Sequence, residues 1–203
     1  MSVNLKKGQK ISLTKGGGGL GRVMVGLGWD EAKPQKRGFF SKPTTTFDID
    51  CDASVFLCGE NGKVISEKLE EACVYFKNLN YGNGAIVHQG DNLTGAGEGD
   101  DEQIMVNLPS IPANVSRLVF VVNIYDANVR NQHFGMIENA FIRLVDMAKN
   151  TEICRFDLSE NYSGMTGLVV GEIYRHNNEW KFNAIGQAVQ EASRLGSLFQ
   201  RYM

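Results

Sequence analysis

"FDIDCDASVFL", residues 47–57, alternates without a break. Phe47, Ile49, Cys51, Ala53, Val55 and Leu57 fall on one face; Asp48, Asp50, Asp52 and Ser54 fall on the other. Alternation with a period of two marks a strand with one buried face. A slip of one residue would turn the aspartates into the core, so the register is fixed and the acidic face has to point somewhere. Asp is disfavoured in strands. Here three of them stand at i, i+2 and i+4, about 7 Å between successive members.

The same period recurs along the chain. "RVMVGLGWD" sets Val23, Val25, Leu27 and Trp29 on one face. "VFLCGENGKVIS" (55–66) reads as two strands around an Asn-Gly turn. "ACVYFKNL", "GAIVH" and "QIMVNL" are short β-like runs, and "RLVFVVNIYD" (117–126) has the composition of a buried central strand. "AFIRLVDMAKNTEICRFDL" fits a hairpin preceded by a short helical turn near 134–139, although 137, 141, 144, 145 and 148 also share one helical face. "LVVGEIYRHNNEWKFNAI" gives a further hairpin. Helical spacing is persuasive only over 187–202, where Ala188, Ala192, Leu195 and Phe199 lie on one side. Many short strands and few helices predict an antiparallel β-sandwich, mainly β, with a short helical turn and a C-terminal helix. Residues 1–203 are expected to form one domain, with the basic, proline-containing stretch 30–46 as an exposed loop.

At 203 residues, 42% hydrophobic and 22% charged, the chain has the length and composition of a soluble protein with a substantial core. Residues 1–42 carry nine basic against two acidic residues, a net of +7, and the remainder a net of −9. That asymmetry fits a solvated basic arm facing an acidic body, or an arm that touches an anionic partner or membrane surface. The start "MSVNLKKGQK" has no apolar stretch behind its lysines, and the run "LVFVV" is too short to span a bilayer. Neither a secretory signal nor a transmembrane segment is expected. Cys51, Cys58, Cys73 and Cys154 form no CxxC pair and read as reduced core thiols of a cytoplasmic protein.

Familiar catalytic signatures fail. Gly16, Gly18 and Gly21 satisfy G-x-G-x-x-G, but a strand-like run follows where a dinucleotide site needs a helix. GxxxxGK[ST], GxSxG and HExxH are absent, and His88, His133 and His176 stand alone, as turn or surface residues do.

The chemistry concentrates in "GDNLTGAGEGDDEQI", residues 90–104. It holds five carboxylates, while the thirty-nine residues between Lys77 and Arg117 contain no Lys or Arg. Two carboxylates about 5 Å apart repel by roughly 3 kcal/mol at an effective dielectric near 20, and by under 1 kcal/mol in water. Full solvation would suffice for an isolated loop. The acidic strand face at 48–52, and Asp126 at the end of the apolar strand, make a shared divalent cation the better resolution. Calcium takes six to eight oxygens in flexible geometry, whereas magnesium keeps more water and near-octahedral order. The loop is not an EF-hand, because Leu93, Gly95 and Ala96 stand where that motif needs ligands and its Gly. The candidate ligands are Asp50, Asp52, Asp91, Asn92, Thr94, Glu98, Asp100, Asp101, Glu102 and Asp126, enough for one or two Ca²⁺ ions.

"GLGWD", "DCDASVFL", "GDNLTGAGEGDDE", "IYDANVRNQHFG", "DLSENYS" and "GEIYRHNNEWKFNAIGQ" resemble the TerD-type tellurite-resistance and stress-response family over nearly the whole chain. The resemblance implies a calcium-binding β-sandwich of the bacterial cytosol with no settled enzymatic activity, and a non-catalytic role is expected. It places the acidic positions on Asp50 and Asp52, on Asp91 to Glu102, and on Asp126. Its expected partners are other stress and resistance proteins encoded with it, membrane-associated ones included, and no nucleic acid. The loop 30–46 is longer than the family pattern leads one to expect, and "EASRLGSLFQRYM" is less family-like. Two other readings use the same residues. One is a calcium-dependent receptor for a small, cyclic nucleotide-like ligand, with Arg130 meeting a phosphate. The other is a hydrolase working through a carboxylate pair, for which the loop lacks an aromatic-lined cleft.

Overall fold

The computed structural model describes residues 2–14, 20–31, 49–90, 99–158, 160–190, 192 and 194–203. Its first strands are β1 (Val3–Leu5), β2 (Lys10–Ser12), β3 (Arg22–Glu31), β4 (Cys51–Cys58), β5 (Cys73–Val74) and β6 (Asn80–Tyr81). They are followed by β7 (Ile86–His88), β8 (Glu102–Asn107), β9 (Arg117–Ile124), β10 (Ile137–Asp146), β11 (Thr151–Asp157), β12 (Gly167–His176) and β13 (Glu179–Val189). Three short helices, α1 (Leu69–Ala72), α2 (Ala127–Arg130) and α3 (Leu195–Gln200), are joined by 3₁₀ turns at Leu108–Ser110 and Phe134–Met136.

Among the described residues these strands form two facing sheets. One runs β1-β11-β10-β3-β8-β7-β6 and the other β2-β13-β12-β9-β4-β5. Pairing is antiparallel except between β1 and β11. The sandwich is therefore as expected, and β9 is a central strand with every residue from Leu118 to Ile124 buried. β10–β11 and β12–β13 are the two expected hairpins, and the helical turn falls at Phe134–Met136. No helix among the described residues is long and apolar enough to cross a membrane.

Alternation builds the main core. Val23, Val25, Leu27 and Trp29 of β3 meet Cys51, Ala53, Val55 and Leu57 of β4 and Leu118, Phe120 and Val122 of β9 in one cluster. The opposite face of β4 is also covered, which the reading of a single buried face did not foresee. Phe56 and Cys58 join Val119, Val121, Val169 and Val189 in a second cluster, closed by Ala192, Leu198 and Phe199. Gly167 permits that closure, because a Cβ there would collide with Ala192. Phe199 and Tyr202 both pack edge-on against Phe56.

Four expectations are corrected. The helix over 187–202 shrinks to Leu195–Gln200, because Gln187–Val189 pair with Gly167–Val169 and sheet hydrogen bonding outweighs local helical spacing. The turn at 59–62 forms, but its return arm is a single bridge, Cys58 to Val64, since β4 already pairs with β9 and β5. The described part of the basic N-terminal stretch is not a free arm; Val3–Leu5, Lys10–Ser12 and Arg22–Glu31 supply β1, β2 and β3 to the two sheets. Asp30 and Glu31 end β3, while 32–46, like Phe47 and Asp48, lies outside the described residues.

Candidate functional site

The strand β4 starts beside the end of β9, with Cys51 opposite Ile124 and Asp52 opposite Asn123, and Tyr125 donates its N–H to the Asp50 carbonyl at 2.8 Å. Across the sandwich, β8 starts at Glu102, opposite Leu27 of β3. One end of the molecule thus collects acids from segments fifty residues apart. Their effect is felt at Cys51. Burial first pushes this thiol well above its ordinary range, and Glu102, Asp52, Asp50 and Asp101 push it further in that order.

Each described acid has a distinct setting. Asp52 is 5% exposed, with Asn123 Nδ2 reaching its Oδ2 at 3.5 Å. Asp50 lies 3.6 Å from the Arg130 guanidinium, whose plane also sits 5.2 Å over the Tyr125 ring. Asp101 accepts the Trp29 N–H at 2.7 Å. Burial raises its pKa, with Asp30 and Asp100 adding to the rise and the Trp29 hydrogen bond opposing it. Asp126 is left-handed (φ 48°, ψ 33°) at the entry to α2, and its carboxylate has no hydrogen-bond or ion-pair partner among the described residues.

Asp100 has a counter-charge of its own. Arg143 of β10 grips it with two hydrogen bonds, Nε to Oδ1 at 2.7 Å and Nη2 to Oδ2 at 2.9 Å, and the Asp100 side chain is fully buried. Gly26 makes room, because a Cβ there would strike that carboxylate. The counter-charge missing from residues 78–116 comes from a strand more than forty residues away.

Glu102 is wholly buried and works across the sheets. Its Oε2 accepts the Ala53 N–H at 2.5 Å, while His88 Nε2 lies 3.2 Å from the Ala53 carbonyl and 3.6 Å from the same Glu102 oxygen. β5 pairs only with Val55 and Phe56, so these two side chains take the place of a neighbouring strand at Ala53. His88 Nδ1 accepts the Gly90 N–H at 3.1 Å, which leaves Nε2 as the donor in the neutral ring. His88 is 2% exposed, not the turn or surface residue expected. Its signal was its parity with Ile86, the buried neighbour on the same strand face.

Asp91, Asn92, Thr94 and Glu98 lie outside the described residues. Among the described residues no group of three or more His, Cys, Asp or Glu side chains is arranged to hold a metal ion. Asp50, Asp52, Asp101 and Glu102 present carboxylate oxygen, the donor type that hard cations take, and the buried Asn123 Oδ1 has no hydrogen-bond partner among the described residues. Arg130, weighed as a phosphate anchor, instead faces Asp50.

The chain matches the TerD domain over residues 1–202. It is 50% identical to the stress response protein SCP2 of Bacillus subtilis (strain 168), over 100% of both chains. It is 43% identical to the tellurium resistance protein TerD of Serratia marcescens, over 100% of this chain and 97% of that one. These names describe stress response and resistance, not a reaction. A crystal structure of a TerD homologue from Streptomyces coelicolor A3(2) superposes with a TM-score of 0.59 at 20% identity, covering 85% of this chain and 92% of the other, and shares the fold.

Proposed function

Because this chain belongs to the TerD domain family, we propose that it is a non-catalytic, calcium-binding stress-response module acting in the cytoplasm through protein partners. The observation that carries the calcium reading is that the buried Glu102 reaches across to the Ala53 N–H, beside the buried Asp52 and next to Asp50 at the start of β4. The loop residues Asp91, Asn92, Thr94 and Glu98, with Asp126, would complete the oxygen ligands for one or two ions. Bound Ca²⁺ would supply the positive charge that offsets the mutual repulsion of these acids. Asp100 is the exception, since Arg143 already neutralises it and holds the entry to β8 in place.

The protein's own groups preset the site. The Trp29 N–H orients Asp101, and Ala53 with His88 holds Glu102. Binding to the folded state alone would stabilise it by about 2.7 kcal/mol at a hundredfold excess over Kd. The consequence for function is an ordered acidic end presented to other resistance proteins. Calorimetric titration of chelator-treated protein with CaCl₂ tests this. We expect saturable binding of one or two ions, lost in the Asp91→Ala/Asp101→Ala double variant, and absence of binding heat in the wild type would sink the reading.

A further inference from the structure

We infer that the opposite end of the sandwich carries a second site, for a small hydrophilic oxyanion, anchored by Arg175. β4 spans seven residue steps from Cys51 to Cys58, so this end lies roughly 23 Å from the acidic one. There β9, β12 and β13 frame an open groove of about 590 Å³, lined by Arg117, Arg175, Asn177, Asn178 and Trp180 among others. Sites for small molecules are commonly of this size.

Arg175 is set apart by how it is held. Its Nη2 donates to the Ile111 carbonyl at 2.7 Å and to the Pro112 carbonyl at 3.3 Å. Its guanidinium lies 4.6 Å from the centre of the Trp180 ring, and its backbone N–H is fixed on Ser116 O at 2.9 Å. Carbonyls and an aromatic face orient the group without cancelling its charge. No carboxylate lies within ion-pair distance of it among the described residues. Arg117, in the same groove, is paired with Glu172 at 3.0 Å, and Arg143, Arg130 and Arg155 each face a carboxylate. A pre-oriented, uncompensated guanidinium fork matches carboxylate or phosphate oxygens.

The groove also limits its guest. Glu60 and Glu179 line it and would repel a polyanion, so a nucleic-acid backbone or an anionic bilayer is a poor fit. A small molecule with one oxyanion for Arg175, and hydroxyl or ammonium donors for the two glutamates, suits the lining. Asn177 and Asn178 fill the left-handed positions of the β12–β13 turn (φ 51° and 60°) and add two carboxamides at the rim.

The test is amide chemical-shift titration of the full chain, stripped of calcium over a chelating resin, with inorganic phosphate in one arm and acetate in the other. Removing calcium beforehand makes the outcome independent of the acidic end. Saturable, millimolar shifts at Ser116, Arg175, Asn177, Asn178 and Trp180 are expected, weakened at least about tenfold in Arg175→Gln. A response to phosphate alone assigns a phosphate ester, one to acetate alone a carboxylate, and a response to both the shared chemistry. The Arg175→Gln spectrum should match the wild type away from the groove, which shows that the variant folds. Absence of saturable shifts with either anion, or unchanged binding in that folded variant, would overturn the assignment.

Discussion

The β4–β9 strand pair runs from an end rich in carboxylates to an end where arginines and glutamates meet, and the two ends handle charge in different ways. At the start of β4, Asp52 and Glu102 are buried, and Cys51 feels four acids at once. At its finish, Arg117 is tied to Glu172, and Cys58 has its thiol pushed up to about 12 by burial, with Arg117 opposing and Glu172 adding. The acidic end concentrates one sign of charge around buried strand starts. The other end keeps its arginines paired or oriented at a half-open surface. The difference teaches that burial at the acidic end leaves carboxylates to be offset, the role proposed for calcium, whereas the other end sets arginines and glutamates side by side in one groove.

Removing the internal counter-charge should break the comparison most strongly. Arg143→Ala leaves Asp100 buried without its partner and is expected to cost about 3 kcal/mol, a fall of roughly 6–12 °C in Tm. Arg117→Ala, at a pair whose arginine is 37% exposed, is expected to cost under about 1 kcal/mol. Thermal melts of the two variants check this, and equal losses would erase the distinction between the ends.

Asp101→Asn should sharpen it with a smaller effect. Asp101 titrates higher in the folded chain than in the unfolded one. Between those two values the native state holds more protons, so its stability falls as pH rises through that window. In chelator the Asn variant should lose this slope and melt slightly higher at neutral pH, since the amide oxygen still accepts the Trp29 N–H. With calcium present it should be less stabilised than the wild type. Melting curves across pH, with and without calcium, are the measurement.

The smallest effect is expected at the thiols. Cys51, Cys58, Cys73 and Cys154 are all buried and free, and Cys154 is pushed up to about 12, chiefly by burial. The native protein should resist maleimide labelling, with all four thiols reacting in denaturant. In the slow native reaction calcium should protect Cys51 and leave Cys58 unchanged. Equal protection of the two thiols, read by peptide mass spectrometry, would mean that calcium acts globally.

The sandwich was legible because alternation over β3, β4 and β9 gives each strand its inner face and the turns mark the hairpins. The second core was half legible: Phe56 and Cys58 continue the acidic face of β4 as apolar residues. That pattern shows only that the face changes character, not that α3 and its flanks cover it. The helix over 187–202 was misjudged because Ala188 and Ala192 fit helical spacing, while the partner that holds 187–189 in a strand is twenty residues away. At the site, the sequence marked the acids but not what they meet. Arg143 finds Asp100 only through the β3–β10 pairing, and the His88–Glu102 contact requires the two sheets to face each other. Partners of this kind arise from tertiary packing and leave no local pattern.

The central claim is that calcium acts at one end of the β4–β9 pair. Amide shifts recorded during a calcium titration test it most directly. The expected result is saturable movement at 50–53, 88–90, 99–103 and 125–130, with 116–117 and 175–180 unmoved. Stationary resonances in the first group, or equal movement in both, would contradict it.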